Sequence, residues 1–544
     1  MGSHRIVARA PRGEARPPRP LAGDEAASYL QDAAHTPGGH TPSVFLPESE
    51  VEVARLLKQH AAVLPVGAQS SLTGGATPFG EVVLSLSRMT QIGRIHRDRV
   101  RAQAGVALLT LEQALRQEGL FYPPTPTFLG ALVGGVASTN AAGAATFKYG
   151  STRDWVRALT IVLASGEVLD VERGECRAHR AGYFEIEGVR GEVTRVPAPR
   201  YTPPRVPKRS AGYHAEPDLD LVDLFVGSEG TLGVVTEAEL RVAPEPVRAF
   251  GWVALPSEEQ ALATAASLRE AARAARSARD ARGVDVAAIE SLDRRCLALL
   301  HEDGTDREQG VRLAPGSDTA LLFQVELPPG CDAARAMDEI GRLDDADRPD
   351  TPLVRLCLLL REQGALESLE LALPGDHRHA SRLLALREAV PLAVNHRIGA
   401  AQRLDPGVRK VAADMIVPFE SLPEMMRRYR EGFERRGLDH ALWGHVSDGN
   451  IHANAIPRRS EDVRQAEEAI LEFGGEVLRL GGCPMSEHGV GRNPVKQELL
   501  RRLYGDDGIA QMRAVKRALD PEWKLSPGVV FPRSGQAASP SIGS

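Results

Sequence analysis

Residues 65–78 read "PVGAQSSLTGGATP". They continue the apolar run "AVLPVGA" and precede "EVVLSLSRM", so a loop rich in Gly, Ser and Thr joins two short strands. Successive small residues let backbone N–H groups converge on an anion. The loop has neither the GxGxxG of a dinucleotide fold nor the lysine of a nucleotide-phosphate loop, and a flexible turn is the plain alternative. Two further segments repeat the pattern. Residues 123–156, "PPTPTFLGALVGGVASTNAAGAATFKYGSTRDWV", set Gly130, Gly134, Gly135, Gly143 and Gly150 around Ser138, Thr139 and Asn140. Residues 223–238, "DLFVGSEGTLGVVTEA", add Gly227, Gly230 and Gly233. Small residues in such numbers imply close backbone approach to something bulky. Three such segments in one region fit an extended phosphate-bearing cofactor better than three unrelated turns.

Outward from these loops, helix and strand alternate. "ESEVEVARLLKQHA" (48–61) and "TLEQALRQEGL" (110–120) have amphipathic helical spacing, with Gly119 as the stop of the second. "RALTIVLASGEVLDV" (157–171) reads as two strands around a Ser-Gly turn, whereas 173–215 shows no clear periodicity and reads as an insertion. The character changes after Pro244-Glu245-Pro246. Residues 256–283 form a strong helix pattern with Ser257 as N-cap. "TALLFQVELP" (319–328) and "LVRLCLLLREQ" (353–363) are candidate strands of a second sheet, the latter also readable as helix. The expected division is a partly disordered extension over 1–37, a cofactor domain over 38–247, a second domain over 248–533 whose last part returns to the cofactor, and a disordered tail over 534–544.

A chain of 544 residues is too long for one core. Hydrophobic content of 42% with 25% charged residues is that of a globular protein, and a net charge of −6 gives nucleic acid or anionic lipid no purchase. No apolar run reaches the roughly 20 residues that span a bilayer, and the N-terminus lacks the apolar stretch of a secretory signal. The cysteines, at 176, 296, 331, 357 and 483, form no CxxC pair. That argues for a reducing compartment and against an internal iron–sulfur cluster.

Polar residues concentrate in "GHVSDGNIHANA", residues 444–455. Asp448-Gly449 is a favoured hairpin turn, and a two-residue loop there would pair His445 with His452, their Cβ atoms roughly 5 Å apart. Such imidazoles can share one divalent ion, or can be ordinary hydrogen-bonded residues.

Taken together, the three Gly-rich segments resemble the flavin domain of the vanillyl-alcohol oxidase (p-cresol methylhydroxylase) superfamily. "GSEGTLGVVTEAELRVAP", "GHVSDGNIH", "SEHGVG" and "LDPEWKLSPG" occur here in the order found in its D-lactate dehydrogenase, glycolate oxidase large subunit and D-2-hydroxyglutarate dehydrogenase group. Residues 250–380 carry little that matches. The resemblance implies an α+β chain, with a two-part FAD-binding domain and a C-terminal α+β cap domain built on an antiparallel sheet. It implies that Pro65, Gly67, Ala68, Gln69, Ser70, Ser71, Leu72, Thr73 and Gly74 cradle the FAD pyrophosphate. Gly134, Gly135, Ser138, Asn140 and Gly143 would line the ribityl and isoalloxazine region, and Gly230, Val234 and Val235 the nucleotide half. None of the three segments contains a histidine, so FAD is expected without a covalent link.

The same resemblance assigns His445, His452 and Glu487 to a zinc or manganese ion, a donor set suited to either. His488 becomes the catalytic base, Arg387 the anchor of a substrate carboxylate, with Arg382 a nearby competitor, and Lys410 a residue that approaches substrate. Val390 stands where 2-hydroxyglutarate-specific members carry a hydroxyl, and Ser526 replaces an asparagine. The function implied is oxidation of a small D-2-hydroxy acid, with electrons leaving to a separate acceptor such as an electron-transfer flavoprotein, a quinone or an iron–sulfur subunit. A cytoplasmic or membrane-peripheral flavoenzyme, with a homodimer open to test, is the expected setting. The rivals are an FAD-bearing oxidase or electron-transfer subunit for another alcohol, and a metal-dependent hydrolase.

Overall fold

The computed structural model describes residues 3–14, 19–21, 23–311 and 316–533. It separates into two compact units. One comprises residues 1–143, 150–244 and 483–544; the other comprises 144–149 and 245–482. The tail expected to be disordered lies outside the described residues.

In the first unit, Ser49 caps the helix Glu50–Gln59 by accepting from the Glu52 N–H, and Glu50 and Glu52 face its positive end. Its apolar face, Val53, Leu56 and Leu57, is buried with Val63 and Leu84. The helix joins Val44–Phe45 to Val63–Val66, and both strands flank Val82–Ser85 in a parallel sheet. Leu525, from the far end of the chain, bridges to Val63. A second sheet, antiparallel, runs Arg99–Gln103, Val234–Arg241, Val156–Val162, Val168–Glu172.

The extension and the insertion are more ordered than their composition suggests. Arg5–Val7 pairs with Tyr183–Glu187, which pairs with Val193–Pro197, so a hairpin of the insertion holds the N-terminal strand. Arg9 is ion-paired with Glu50 and Asp170. These contacts are long-range and leave no periodic trace in the local sequence.

An eight-stranded antiparallel sheet organises the second unit. Its order is Glu370–Ala372, Val247–Leu255, Thr319–Leu327, Asp285–Leu292, His440–Gly444, Asn450–Ala455, Val411–Ala412, with Met415–Ile416 also on Asn450–Ala455. Ser257 caps Glu258–Ala278 as the sequence predicts. Residues 353–363, readable from sequence as strand or helix, lie almost wholly in the helix Pro352–Glu362, where Thr351 is the cap and Pro352 fits the first turn. The long helix His377–Leu404 buries Leu383, Leu386, Val390 and Val394 in a core with Trp252, Leu299 and Leu322. Lys148 and Tyr149 belong to this unit, through Asp285 and Glu326. Among the described residues no helix is long and apolar enough to cross a membrane.

Candidate active site

The Gly-rich segments meet in the first unit. After Val63–Val66 the chain turns through Gln69, whose φ is 53°. Among the described residues, nothing accepts a hydrogen bond from the backbone N–H groups of residues 67–72. Such a run of unused donors makes an anion cradle. A Cβ on Gly67 would come within 3.7 Å of the Gly135 Cα, so this loop touches the helix Val133–Thr139. Gly230, with φ 69°, lies against Pro65: a Cβ there would sit 3.0 Å from the Pro65 ring.

The glycines of the second segment have different reasons to be glycine. Side chains at Gly134 and Gly143 would strike Ala104 and the Thr125 carbonyl, at 2.6 and 2.3 Å. These two are required by protein packing. A Cβ on Gly135 meets nothing within 4 Å, which is the opening a flat cofactor needs. Asn140 closes the helix in the left-handed region, and its amide is committed to the Arg153 N–H and the Arg209 carbonyl. The Ser138 carbonyl accepts from the Glu229 N–H. Val234 and Val235 have buried side chains on the central strand. Ser526 donates to the Gly230 carbonyl at 3.1 Å, so the residue in the asparagine's place braces the third loop.

The "SEHGVG" loop belongs to the same unit. Glu229 grips it with both carboxylate oxygens, accepting from the Val490 and Gly491 N–H groups at 2.9 and 2.8 Å. Burial raises the Glu229 carboxyl, and these two donors oppose the rise. Gly489 leaves room for that carboxylate, which a Cβ would meet at 2.9 Å. Glu487 is ion-paired with the fully buried Lys208, and His488 is half-buried beside it. Neither Glu229 nor Lys208 stands out in the sequence as more than a motif residue or an insertion charge.

In the second unit the histidine hairpin differs from the expected one. His452 pairs with Trp443, and the ladder ends there. Residues 446–448 form a short 3-10 turn, closed by the Asp448 and Gly449 N–H groups donating to the His445 and Val446 carbonyls. Ser447 pins the turn, accepting from the Ile289 N–H while its carbonyl accepts from Arg269. His445 therefore leaves the ladder, yet its ring still lies 5.4 Å from that of His452, edge to face. Both rings are buried, and Asp414 lies 3.7 Å from His452. Buried imidazoles beside carboxylates form a donor set that suits a divalent ion.

Glu290, which the sequence reading missed, connects this turn to Arg387. Its Oε1 accepts from His445 Nδ1 at 2.6 Å, and its Oε2 from Arg387 Nε at 3.3 Å. Burial pushes the Glu290 carboxyl up, but Arg387 and His445 outweigh it and hold the group well below the usual carboxylate range. The available signal was an acid inside the apolar strand "DVAAIESL". Pro391 lies four residues beyond Arg387 in the same helix and removes the N–H that would bond the Arg387 carbonyl. Arg382, the competitor, donates instead to the Gln309 carbonyl. Val390 is wholly buried in the core. Lys410 donates to Asn395 at 3.0 Å, and burial lowers its ammonium to about 8.

Comparison with known proteins supplies the family. The model for "FAD linked oxidases, C-terminal domain" matches residues 255–530, and that for "FAD binding domain" matches 41–172. Glycolate oxidase subunit GlcD of Bacillus subtilis is 27% identical, with 93% of each chain covered. A probable mitochondrial D-lactate dehydrogenase of Danio rerio is 28% identical over 90% of this chain and 84% of its own. Among solved structures, 4-ethylphenol oxidase from Gulosibacter chungangensis superposes with a TM-score of 0.61 at 16% identity, covering 94% of each chain, and so shares the fold. A hydrolase reading has no place beside these matches. The unused N–H groups of residues 67–72 and the open face of Gly135 suit the cofactor that the matches name, and the chain belongs to the FAD-linked oxidase family as a flavin-dependent oxidoreductase.

Proposed function

We propose that this flavoenzyme oxidises a small D-2-hydroxy acid to the 2-oxo acid and passes the electrons to a separate acceptor. The observation that carries the reading is Arg387: buried, held through Nε by Glu290, with Nη1 and Nη2 bonded to no described residue. Two parallel donors of this kind match a carboxylate, and two buried imidazoles lie in the same unit. Hydroxy-acid enzymes among the relatives, the glycolate oxidase subunit and the D-lactate dehydrogenase, support the substrate class.

In this scheme Arg387 binds the substrate carboxylate and thereby orients the Cα–H. His445 and His452 hold a zinc or manganese ion, which when bound supplies Lewis acidity toward the substrate hydroxyl. The motif resemblance adds Glu487 as a carboxylate ligand and His488 as the base that takes the hydroxyl proton at a ring nitrogen. Lys410, as a cation, adds positive charge for the substrate. Residues 67–72 and 135 hold FAD, which supplies the two-electron acceptor. The flavin is bound without a covalent link. The next acceptor is an electron-transfer flavoprotein, a quinone or an iron–sulfur subunit. None of the five cysteines is in a disulfide and all are buried, which supports a reducing, cytoplasmic compartment. The test is a screen of D- and L-2-hydroxy acids with an artificial dye acceptor. Turnover confined to D-2-hydroxy acids supports the reading, and turnover only of alcohols lacking the carboxylate overturns it.

A further inference from the structure

We infer that Glu290 is the positioning residue of the substrate site, a single buried carboxylate that sets both the guanidinium fork of Arg387 and the ring of His445. The inference rests on the function proposed above. Glu290 sits in the strand Asp285–Leu292 among the buried Val286, Ala287, Ile289 and Leu292, and is itself 6% exposed. A charge so placed is stable only if paired and hydrogen-bonded. Each of its oxygens has a separate partner, His445 Nδ1 on one and Arg387 Nε on the other.

The two bonds have chemical consequences. An ionised carboxylate only accepts, so the His445 proton in the neutral ring lies on Nδ1 and the lone pair on Nε2. That is the tautomer and ring orientation a metal ligand requires, set by a carboxylate behind the imidazole. On the other side, occupation of Nε by Glu290 leaves Nη1 and Nη2 as the parallel pair for a substrate carboxylate. A glutamine at 290 has one acceptor oxygen and one donor nitrogen, so it cannot accept from both partners, and donating to His445 Nδ1 would force the other tautomer. One residue thus couples anion binding to metal affinity, although it touches neither ligand.

The experiment uses the FAD-loaded full chain and titrates Mn²⁺ alone, followed by electron paramagnetic resonance, and oxalate, followed by flavin absorbance. Glu290→Gln should weaken Mn²⁺ by about 10- to 100-fold and oxalate by about tenfold, at unchanged flavin content and unchanged Tm. Glu290→Asp keeps the charge on a shorter arm and should recover part of the Mn²⁺ affinity. It also carries the test if the glutamine variant does not fold. Parental Mn²⁺ affinity in Glu290→Gln, with affinity lost in His445→Ala, overturns the inference and leaves the metal reading standing. Parental affinity in His445→Ala overturns the metal reading and the inference with it. Equal loss in Glu290→Asp and Glu290→Gln, in step with a fall in Tm, reduces Glu290 to a structural role and overturns the inference.

Discussion

The two units use different materials for their chemistry. The Gly-rich loops of the first present backbone: N–H groups at residues 67–72 that no described residue accepts from, a bare Cα at Gly135, and a left-handed Gly230 against Pro65. The second unit is built from side chains. Glu290, Arg387, His445 and His452 come from a strand, a helix and a hairpin far apart in sequence, and they share one buried polar patch on an apolar sheet. A backbone site needs glycines in local runs, which can be read directly. A side-chain site needs only a few correctly placed residues, and a single acid in a strand is easily passed over.

That contrast predicts separable defects, with flavin content reporting on the Gly-rich loops and turnover, substrate affinity or metal affinity on the side chains. The largest effect expected is at His488. A base acts in the transition state, so His488→Ala should lower kcat by about 10²–10⁴ while FAD and metal stay bound. Near-normal turnover would remove it from the mechanism.

Arg387→Ala comes next. Loss of a charged hydrogen-bonding partner costs about 1.5–3 kcal/mol, or roughly ten- to a hundredfold in kcat/KM. Most of this should appear in KM, and the defect should shrink for the substrate's amide, which lacks the anion. Equal defects on acid and amide would break the assignment.

A smaller and pH-dependent effect belongs to Lys410. Burial favours its neutral amine, so the folded value falls from the ordinary lysine range to about 8. Below that pH it is a cation and can attract substrate; above it the charge is lost. KM should therefore rise as pH passes through about 8, and Lys410→Met should raise KM at pH 7 but match the parent near pH 9.5. The same depression has a stability consequence with the opposite sense. Protonation opposes the folded state, so this group favours folding more as pH rises through about 8 toward the unfolded lysine value.

The finest comparison sets two adjacent glycines against each other. Gly134→Ala places a methyl 2.6 Å from the Ala104 Cβ, and overpacking of this kind costs about 1–3 kcal/mol. Gly135→Ala enters open space within a helix, where alanine gains about 0.5–1 kcal/mol over glycine. Thermal unfolding should show Gly134→Ala destabilised and Gly135→Ala not, while flavin content falls in the latter. Full flavin occupancy in Gly135→Ala would show that its open face is not the cofactor's.

What the sequence by itself determined was the architecture and the cofactor. Glycine runs, capped helices such as Glu258–Ala278, and the strands flanking the loops are local, because glycine tolerance and helix capping act over a few residues. Motif order supplied His445, His452, Glu487, His488 and Arg387 as candidates. Only the tertiary structure decided the rest: that Arg5–Val7 is a sheet strand, that the ladder partner of His452 is Trp443 and not His445, that Gly134 and Gly143 are glycine because of Ala104 and Thr125, and that Glu290 joins Arg387 to His445. Each depends on atoms brought together from distant parts of the chain. Steric fit and the pairing of buried charges are set by three-dimensional neighbours, and spacing along the sequence does not encode who those neighbours are.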